Sequence, residues 1–163
     1  MTRGGDEVVP VPPFQDFLEA NRATVYRFLT VAAGPHDADD CFQETFLSAL
    51  KAYPRLADGE RLDRWVLRIA SRKAIDHHRS SGRRAVPTRD LPEGVARPVE
   101  VTVTDDPLWS AVRALPPRQR VAVVHRHVLD RPYEEIADLM GISRDAARAN
   151  VYQGTKRLRE LMQ

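Results

Sequence analysis

The side chains with the clearest potential for chemistry are pairs of acids and histidines that are adjacent in the chain. His77 and His78 form one pair, and Asp39-Asp40 and Glu134-Glu135 form two others. Such residues are common metal ligands. Neighbouring positions on an α-helix point about 100° apart, however, which suits a single ion poorly. The sequence also lacks a glycine-rich phosphate loop and a nucleophile elbow. We therefore expect no metal, no cofactor and no enzymatic activity.

A stretch near the C-terminus carries the chemistry of DNA recognition. Residues 133–143 place Ala137 where two helices must cross closely and Gly141 where a tight turn needs a positive φ. Ser143 is suited to cap the next helix. This layout predicts a helix-turn-helix.

The second helix of that motif has two different faces. Residues 143–163 contain five Lys/Arg and two Asp/Glu, a net charge of +3. Basic residues on such a helix contact phosphates, and residues near its start reach base edges in the major groove. The predicted outward residues are Arg144, Arg148, Tyr152 and Lys156, and the predicted inward residues are Ala147, Val151, Leu158 and Leu161.

Charge is also segregated nearer the N-terminus. Residues 37–60 have a net charge of −4, whereas residues 61–84 have a net charge of +6 and include Trp65. A basic surface with an aromatic ring can follow a nucleic-acid backbone and stack on unpaired bases. The acidic helix would repel DNA, so we expect it to meet a basic protein partner.

The elements that must position these residues are all helical. Apolar residues recur at helical spacing from Phe14 to Gly34-Pro35, from Asp37 to Tyr53-Pro54 and over 61–79. One face of the second helix is predicted to bury Ala38, Cys41, Phe42, Phe46, Ala49 and Leu50. Four further helices are predicted at 107–114, 117–129, 132–140 and 143–162, with Pro117 and Pro132 as first helical residues.

These helices form an all-α protein of two small domains. We predict a disordered N-terminus at 1–13, a helical bundle at 14–82, a flexible linker at 83–106 and a helix-turn-helix domain at 107–163. One cysteine, no signal peptide and no membrane-length apolar run indicate a cytoplasmic protein without membrane association.

Four segments together resemble the sigma-70 family of RNA polymerase sigma factors. Residues 37–46 resemble the helix that binds core polymerase, and 64–76 resemble the helix that melts and recognises the minus-ten element. Residues 115–120 and 133–137 resemble the start of the minus-35 domain. The short linker in place of a middle domain resembles the extracytoplasmic-function group.

The resemblance implies a role for each matching residue. Core polymerase would be bound, at its clamp coiled coil, by Asp40, Gln43 and Glu44. Minus-ten DNA would meet Leu56, Asp58, Glu60, Arg61, Trp65, Arg68, Arg72, Lys73 and His77, with loop 56–60 holding an extruded base. Minus-35 DNA would meet Ser143, Arg144, Arg148, Ala149, Tyr152, Gln153 and Lys156.

The same resemblance implies the partners. They are core RNA polymerase, including its flap, and promoter DNA in double-stranded and melted form. An anti-sigma factor is common in the group, although no residue here identifies one.

Some residues depart from the family's pattern. Asn150, Gln153 and Thr155 stand where the family is often basic, and Gly154 inside the helix should cost about 1 kcal/mol relative to alanine. We expect these changes to weaken DNA binding.

Three other functions stay open at this point. The first is a transcription regulator that shares only the helix-turn-helix, typically a dimer on a palindromic site. The second is a sigma-like decoy that does not initiate transcription. The third is a metal-dependent enzyme acting on nucleic acid, for which metal binding by the protein alone would be diagnostic.

Overall fold

The computed structural model describes residues 8–81 and 106–163, with side chains as far as His77 in the first of these ranges. These residues form seven α-helices, a short 3₁₀ turn at Tyr53–Arg55 and no strand, which confirms the all-α prediction. Nearly all of the predicted linker, at 83–105, lies outside the described residues. The helices are α1 Phe14–Ala32, α2 Ala38–Ala52, α3 Leu62–Ser81, α4 Pro107–Arg113, α5 Pro117–His127, α6 Tyr133–Met140 and α7 Arg144–Leu161.

Helices α1, α2 and α3 pack on one another around an aromatic core. Phe17 is at its centre, with its ring centroid 6.0 Å from that of Phe46, 5.3 Å from Tyr53 and 5.7 Å from Trp65. The buried face of α2 matches the prediction except at Leu50, whose side chain is exposed. Leu50 lies at the edge of the helix face that meets α1 and α3. The prediction failed there because periodicity alone does not say how wide the covering surface is.

Residues 8–13 do not fit the predicted disorder. This segment lies along the loop that follows α2. Val11 donates its backbone N–H to Asp58 Oδ1 at 3.1 Å, and Gly59 donates its own to the carbonyl of Val9 at 2.8 Å. The hydroxyl of Tyr53 donates to the carbonyl of Pro12. We name residues 8–13 the N-terminal strap, and the prediction of disorder is wrong for it.

The C-terminal helices form the predicted helix-turn-helix. Gly141 ends α6 in the left-handed conformation at φ 65°, and the hydroxyl of Ser143 accepts a hydrogen bond from the backbone N–H of Ala146 at 3.0 Å. Pro132 caps α6 from outside the helix, so its placement as a first helical residue is wrong. The inward placement of Leu161 is also wrong, because α7 extends past its neighbours and leaves that side chain exposed.

The two helical units pack together and share one hydrophobic core. Val112, Val121, Val124 and Leu139 of the C-terminal unit belong to the same buried cluster as Phe17, Phe28 and Leu67 of the N-terminal unit. The contacting elements are α1 with α4 and α5, and α3 with α5 and α6. The described residues therefore do not form two independent modules joined by a flexible chain.

Candidate nucleic-acid and polymerase interface

Helix α7 presents a continuous polar face to solvent. The side chains of Arg144, Arg148, Ala149, Tyr152, Gln153 and Lys156 are all exposed, and Tyr152 is 69% exposed. The opposite face buries Ala147 and Val151 against the rest of the domain. Ser143 is exposed, but its hydroxyl caps the helix. The predicted minus-35 residues are therefore brought together on one accessible surface.

Two residues of this face contact other side chains of the same protein. Arg144 Nε lies 3.0 Å from Glu134 Oε1 in an exposed ion pair, and Gln119 Nε2 donates to Gln153 Oε1 at 3.4 Å. Exposed ion pairs contribute little stability, so Arg144 remains available to a phosphate.

Gly154 has a role that the sequence analysis missed. Its α-carbon is buried against α5, and a Cβ there would lie 2.6 Å from Val123 Cγ2 and 3.3 Å from the carbonyl oxygen of Gln119. The glycine therefore permits a close crossing of α5 and α7. The expectation that this glycine merely weakens the helix is wrong, because α5 and α7 can approach this closely only where no side chain stands between them.

The basic residues of α3 do not form one surface. Three of these residues recur every four positions and share the side of α3 that faces α6: Arg64, Arg68 and Arg72. Lys73 is half-buried, and His77 Nε2 lies 3.3 Å from Asp37 Oδ1 near the start of α2. The predicted minus-ten residues are therefore divided between two sides of the helix.

The remaining minus-ten residues lie at the start of α3 and in the preceding loop. Trp65 is half-buried among Phe17 and Tyr53, so only part of its ring is accessible. Leu56 is half-buried, whereas Asp58, Glu60 and Arg61 are exposed. Asp58 is held by the strap, and Arg61 pairs with Asp63 at 3.3 Å.

The acidic helix α2 has an exposed apolar surface beside its acids. Glu44 is exposed, and Asp40 and Gln43 are half-buried on the same side of the helix. Leu47 and Leu50 on that side are 52% and 49% exposed. Cys41 is buried on the other side, where burial, aided by nearby carboxylates including Glu44, raises the pKa of its thiol to about 12. The thiol is therefore a core group and not a reactive thiolate.

Buried polar side chains that the sequence did not single out join the two units. His125 lies in α5 and stacks on Phe28 of α1 at 4.6 Å between ring centroids. Its Nε2 is 2.7 Å from Ser71 Oγ, and that hydroxyl donates to the carbonyl of Leu67. Because Ser71 has a single proton to donate, His125 Nε2 must carry the proton between them. The sequence signal was a histidine at the end of an apolar run, 121–124.

Arg120 makes a second buried connection. Its Nη1 donates to the carbonyl of Ala32 at 3.0 Å and its Nη2 to that of Leu115 at 3.0 Å. The first of these bonds satisfies a carbonyl at the end of α1, which the helix itself leaves unpaired. Burial lowers the pKa of this guanidinium, which nonetheless remains charged at neutral pH.

Two absences concern residues 8–81 and 106–163. Among them, no group of three or more His, Cys, Asp or Glu side chains is arranged to hold a metal ion. In the same part of the chain, no helix is both long and apolar enough to cross a bilayer.

Comparison with known families gives matches in both halves of the chain. Residues 17–84 match the family "Sigma-70 region 2", and residues 105–158 match "Sigma-70, region 4". The two matches follow the order of the four segments noted above.

Individual relatives match over most of their length. RNA polymerase sigma factor CarQ of Myxococcus xanthus is 34% identical over 91% of this chain and 88% of its own. ECF RNA polymerase sigma factor SigD of Mycobacterium tuberculosis is 30% identical over 90% of this chain and 75% of its own.

The fold also matches a solved structure. The sigma factor RpoE of Bartonella quintana, solved with the anti-sigma factor NepR, aligns with a TM-score of 0.69 over 91% of this chain and 96% of its own, at 20% identity. That likeness concerns the fold, whereas the sequence matches establish kinship. The chain belongs to the extracytoplasmic-function group of the sigma-70 family of RNA polymerase sigma factors.

Proposed function

We propose that this chain binds core RNA polymerase through α2 and directs it to promoters that α7 recognises at minus-35 and α3 at minus-ten. The observation that carries the proposal is the exposed face of α7, with Arg148 and Tyr152 at its centre and a packed apolar face behind it. The protein supplies binding and strand separation, and the polymerase supplies the chemistry. Sequence matches in both halves favour this function over a regulator that shares only the helix-turn-helix.

Binding at minus-35 rests on the first half of α7. Residues near the start of a recognition helix reach base edges, and basic residues around them hold phosphates. Arg148 is exposed one turn into the helix, and Tyr152 follows one turn later. Both side chains can therefore enter the major groove without any rearrangement of α7.

Polymerase docking rests on the composition of the exposed side of α2. A protein interface needs an apolar centre with polar groups at its edge. Leu47 and Leu50 supply the apolar centre, and Asp40 and Glu44 supply negative charge for a basic partner. The exposed Leu161 and Met162 at the end of α7 offer a second apolar contact, which we assign to the flap.

Minus-ten recognition rests on the junction between loop 56–60 and α3. The exposed Asp58, Glu60 and Arg61 can contact the edge of an extruded base, and the accessible part of Trp65 can stack on one. Arg68 and Arg72, further along α3, can hold the phosphates that follow.

The test is multi-round transcription of fragmented genomic DNA by sigma-free core polymerase, with and without this protein. We expect transcripts with defined 5′ ends only when the protein is present. The aligned upstream sequences should then supply both promoter elements. A stable polymerase complex without transcripts would favour the decoy, and the absence of both complex and transcripts would reject the proposal.

Two matched substitutions test the role of α7 once a promoter is known. Arg148→Ala should lower promoter-specific transcription about tenfold, equivalent to about 1.4 kcal/mol. Arg159→Ala, with the same charge change near the other end of the helix, should have a much smaller effect. Equal losses would show that α7 contributes only general charge.

A second pair tests docking through α2. Leu47→Ser together with Leu50→Ser should weaken the complex with core polymerase while leaving DNA binding by the free protein unchanged. Leu108→Ser, at an exposed leucine of α4, is the control. Unchanged polymerase affinity in the double variant would place the docking surface elsewhere.

An anti-sigma partner is the remaining element of the proposal. The solved structure of the sigma factor RpoE with the anti-sigma factor NepR shows one sigma factor bound by such a protein. We extend that partner class to this chain. Copurification of the tagged protein from its own cells, followed by addition of the recovered partner to the transcription assay, should reveal an inhibitor.

A further inference from the structure

The N-terminal strap is hydrogen-bonded to the loop that joins α2 to α3. Val11 donates its backbone N–H to Asp58 Oδ1 at 3.1 Å. The carbonyl of Val9 accepts from the backbone N–H of Gly59 at 2.8 Å. The strap therefore contacts two consecutive residues in the middle of loop 56–60.

The other end of the strap is fastened to the aromatic core. The hydroxyl of Tyr53 donates to the carbonyl of Pro12, and the ring of Tyr53 lies 5.3 Å from that of Phe17 between centroids. The carbonyl of Pro13 accepts from the backbone N–H groups of Asp16 and Phe17 in the first turn of α1. The strap thus connects the loop to two packed helices, α1 and α2.

The composition of the strap suits it to hold another segment in place. Residues 10, 12 and 13 are prolines, so Val11 carries the one backbone N–H of 10–13, and that donor is the one that Asp58 accepts. Proline fixes φ at about −65° and favours an extended backbone at the preceding residue. Because such a segment has few conformations to lose, ordering it against the loop costs little entropy.

The middle of loop 56–60 takes its conformation from these contacts. Gly59 has a φ of 86°, which the turn requires, but glycine has more backbone freedom than any other residue. The hydrogen bonds at Asp58 and Gly59 come from the strap, and a Cβ added to Gly59 would lie 3.5 Å from Val8 Cγ1. The strap therefore restricts the part of the loop that is intrinsically the most flexible.

A loop that is ordered in advance favours the capture of an extruded base. Extrusion already costs unstacking and unpairing energy, and a loop that became ordered only when the base entered would add to that cost. The bond from Val11 uses one carboxylate oxygen of Asp58 and fixes the direction of the other. Since a carboxylate only accepts hydrogen bonds, its direction determines which edge of a base it can meet.

We propose that the strap is a positioning element of the minus-ten site, which holds loop 56–60 in its base-binding conformation before DNA arrives. The inference rests on the proposed function of that loop. Val11 and Tyr53 are positioning residues, because they act through Asp58 and Pro12 and do not touch the base. An exposed hydrogen bond is weak by itself, so the effect depends on three bonds that hold one stiff segment.

The test removes one of these bonds from the full chain. Val11→Pro deletes the N–H that Asp58 accepts, and it suits the extended backbone between two prolines. Val9→Pro is the matched control, because the N–H that it deletes donates to no other described residue and its carbonyl stays available to Gly59. Circular dichroism and urea unfolding verify that both variants fold.

The readout is base selectivity in transcription by core polymerase, at a promoter identified by the genomic test above. Templates carry each of the four base pairs in turn at every minus-ten and every minus-35 position. The measured quantity is the ratio of transcripts from the best base to those from the poorest at each position. A general loss of stability lowers transcription from all templates alike and leaves these ratios unchanged.

We expect Val11→Pro to lower this ratio about tenfold at one minus-ten position, which is the order of magnitude that a single recognised base contributes. Val9→Pro should keep the wild-type ratios. Polymerase affinity and all minus-35 ratios should be the same in both variants as in the wild type, because α2 and α7 do not contact the strap through these bonds.

A second variant and a second measurement address the strap itself. Tyr53→Phe frees its other end and should lower the ratio at the same minus-ten position, but by less, since the Val11–Asp58 bond remains. Hydrogen exchange at the amide of Gly59, measured without polymerase, should be faster in Val11→Pro than in Val9→Pro.

Two results would overturn the inference while the proposed function stands. One is a wild-type set of minus-ten ratios in Val11→Pro. The other is a rise in transcription from all four bases in that variant, which would show that the strap blocks the loop. If the wild-type protein supports no initiation, the proposed function fails, and the inference fails with it even when the Gly59 amide exchanges as expected.

Discussion

Gly154 shows at the level of a single residue how contact overrides intrinsic preference. At an exposed helix position, replacing glycine with alanine would raise the free energy of unfolding by about 1 kcal/mol. Here the added methyl group would meet Val123 and the backbone of α5, at 2.6 Å and 3.3 Å. We expect Gly154→Ala to lower the free energy of unfolding by about 1–3 kcal/mol, measured by urea denaturation.

Two variants make that prediction specific. Adding Val123→Ala to Gly154→Ala should recover part of the loss, because it removes the atom that the new methyl group meets. Ala149→Gly, at an exposed position of the same helix, should cost about 1 kcal/mol for the opposite change. A stabilising Gly154→Ala would mean that α5 and α7 do not cross closely.

His125 predicts a dependence of stability on pH. Burial, and secondarily the charge of Arg131, lowers the pKa of its imidazole to about 3 from 6.5. The unfolded chain takes up a proton below about pH 6.5 that the folded protein refuses, so the stability present above that pH is lost as the pH falls towards 3. Between pH 7 and 5 the loss should be about 2 kcal/mol.

The test of this prediction compares how the free energy of unfolding changes with pH in two histidine variants. Urea unfolding at pH 7, 6 and 5 should show that His125→Phe lacks this part of the pH dependence, whereas His36→Phe, at an exposed histidine, retains it. Parallel curves for wild type and His125→Phe would contradict a buried neutral imidazole.

The N-terminal strap, residues 8–13, is the element whose placement can be tested most directly. Tyr53 holds it by donating to Pro12, while the tyrosine ring packs in the aromatic core. Tyr53→Phe keeps the ring and removes the donor. We expect a loss of about 1 kcal/mol and faster hydrogen exchange at the amides of Val11 and Gly59.

Tyr152→Phe is the matched control, since that hydroxyl is on an exposed side chain of α7. The strap would be only loosely attached if Tyr53→Phe left the exchange of both amides unchanged. Release of the strap also frees Asp58, which in our proposal contacts the extruded base.

At the scale of the whole molecule, the shared core predicts that the two units unfold together. Trp65 reports on the N-terminal unit and Trp109 on the C-terminal unit, and both pack on the same cluster. Trp109→Phe and Trp65→Phe each leave one reporter. We expect both to show the same midpoint by fluorescence, because neither unit keeps its buried surface without the other.

Far-UV circular dichroism of both single-tryptophan proteins should match the wild type, which controls for the substitutions themselves. A clearly lower midpoint at Trp109 would mean that the C-terminal unit unfolds independently of the N-terminal unit.

The sequence by itself determined the helices and the family. Their ends follow from local chemistry: Gly34 and Gly141 take positive φ values, Ser143 caps α7, and Pro117 begins α5. The outward face of α7 was equally predictable, since a 3.6-residue period fixes which side chains share a side. The residue roles proposed for polymerase and DNA rest on the resemblance and stay predictions.

Only the tertiary structure decided what lies opposite each helix face. Periodicity placed Leu50 and Leu161 on apolar sides, but whether a neighbouring element reaches far enough to cover them depends on packing. The Ser71–His125 bond joins residues 54 positions apart, and the Arg68–Asp138 pair joins residues 70 apart. No local pattern encodes such contacts, because they depend on how whole helices pack against one another.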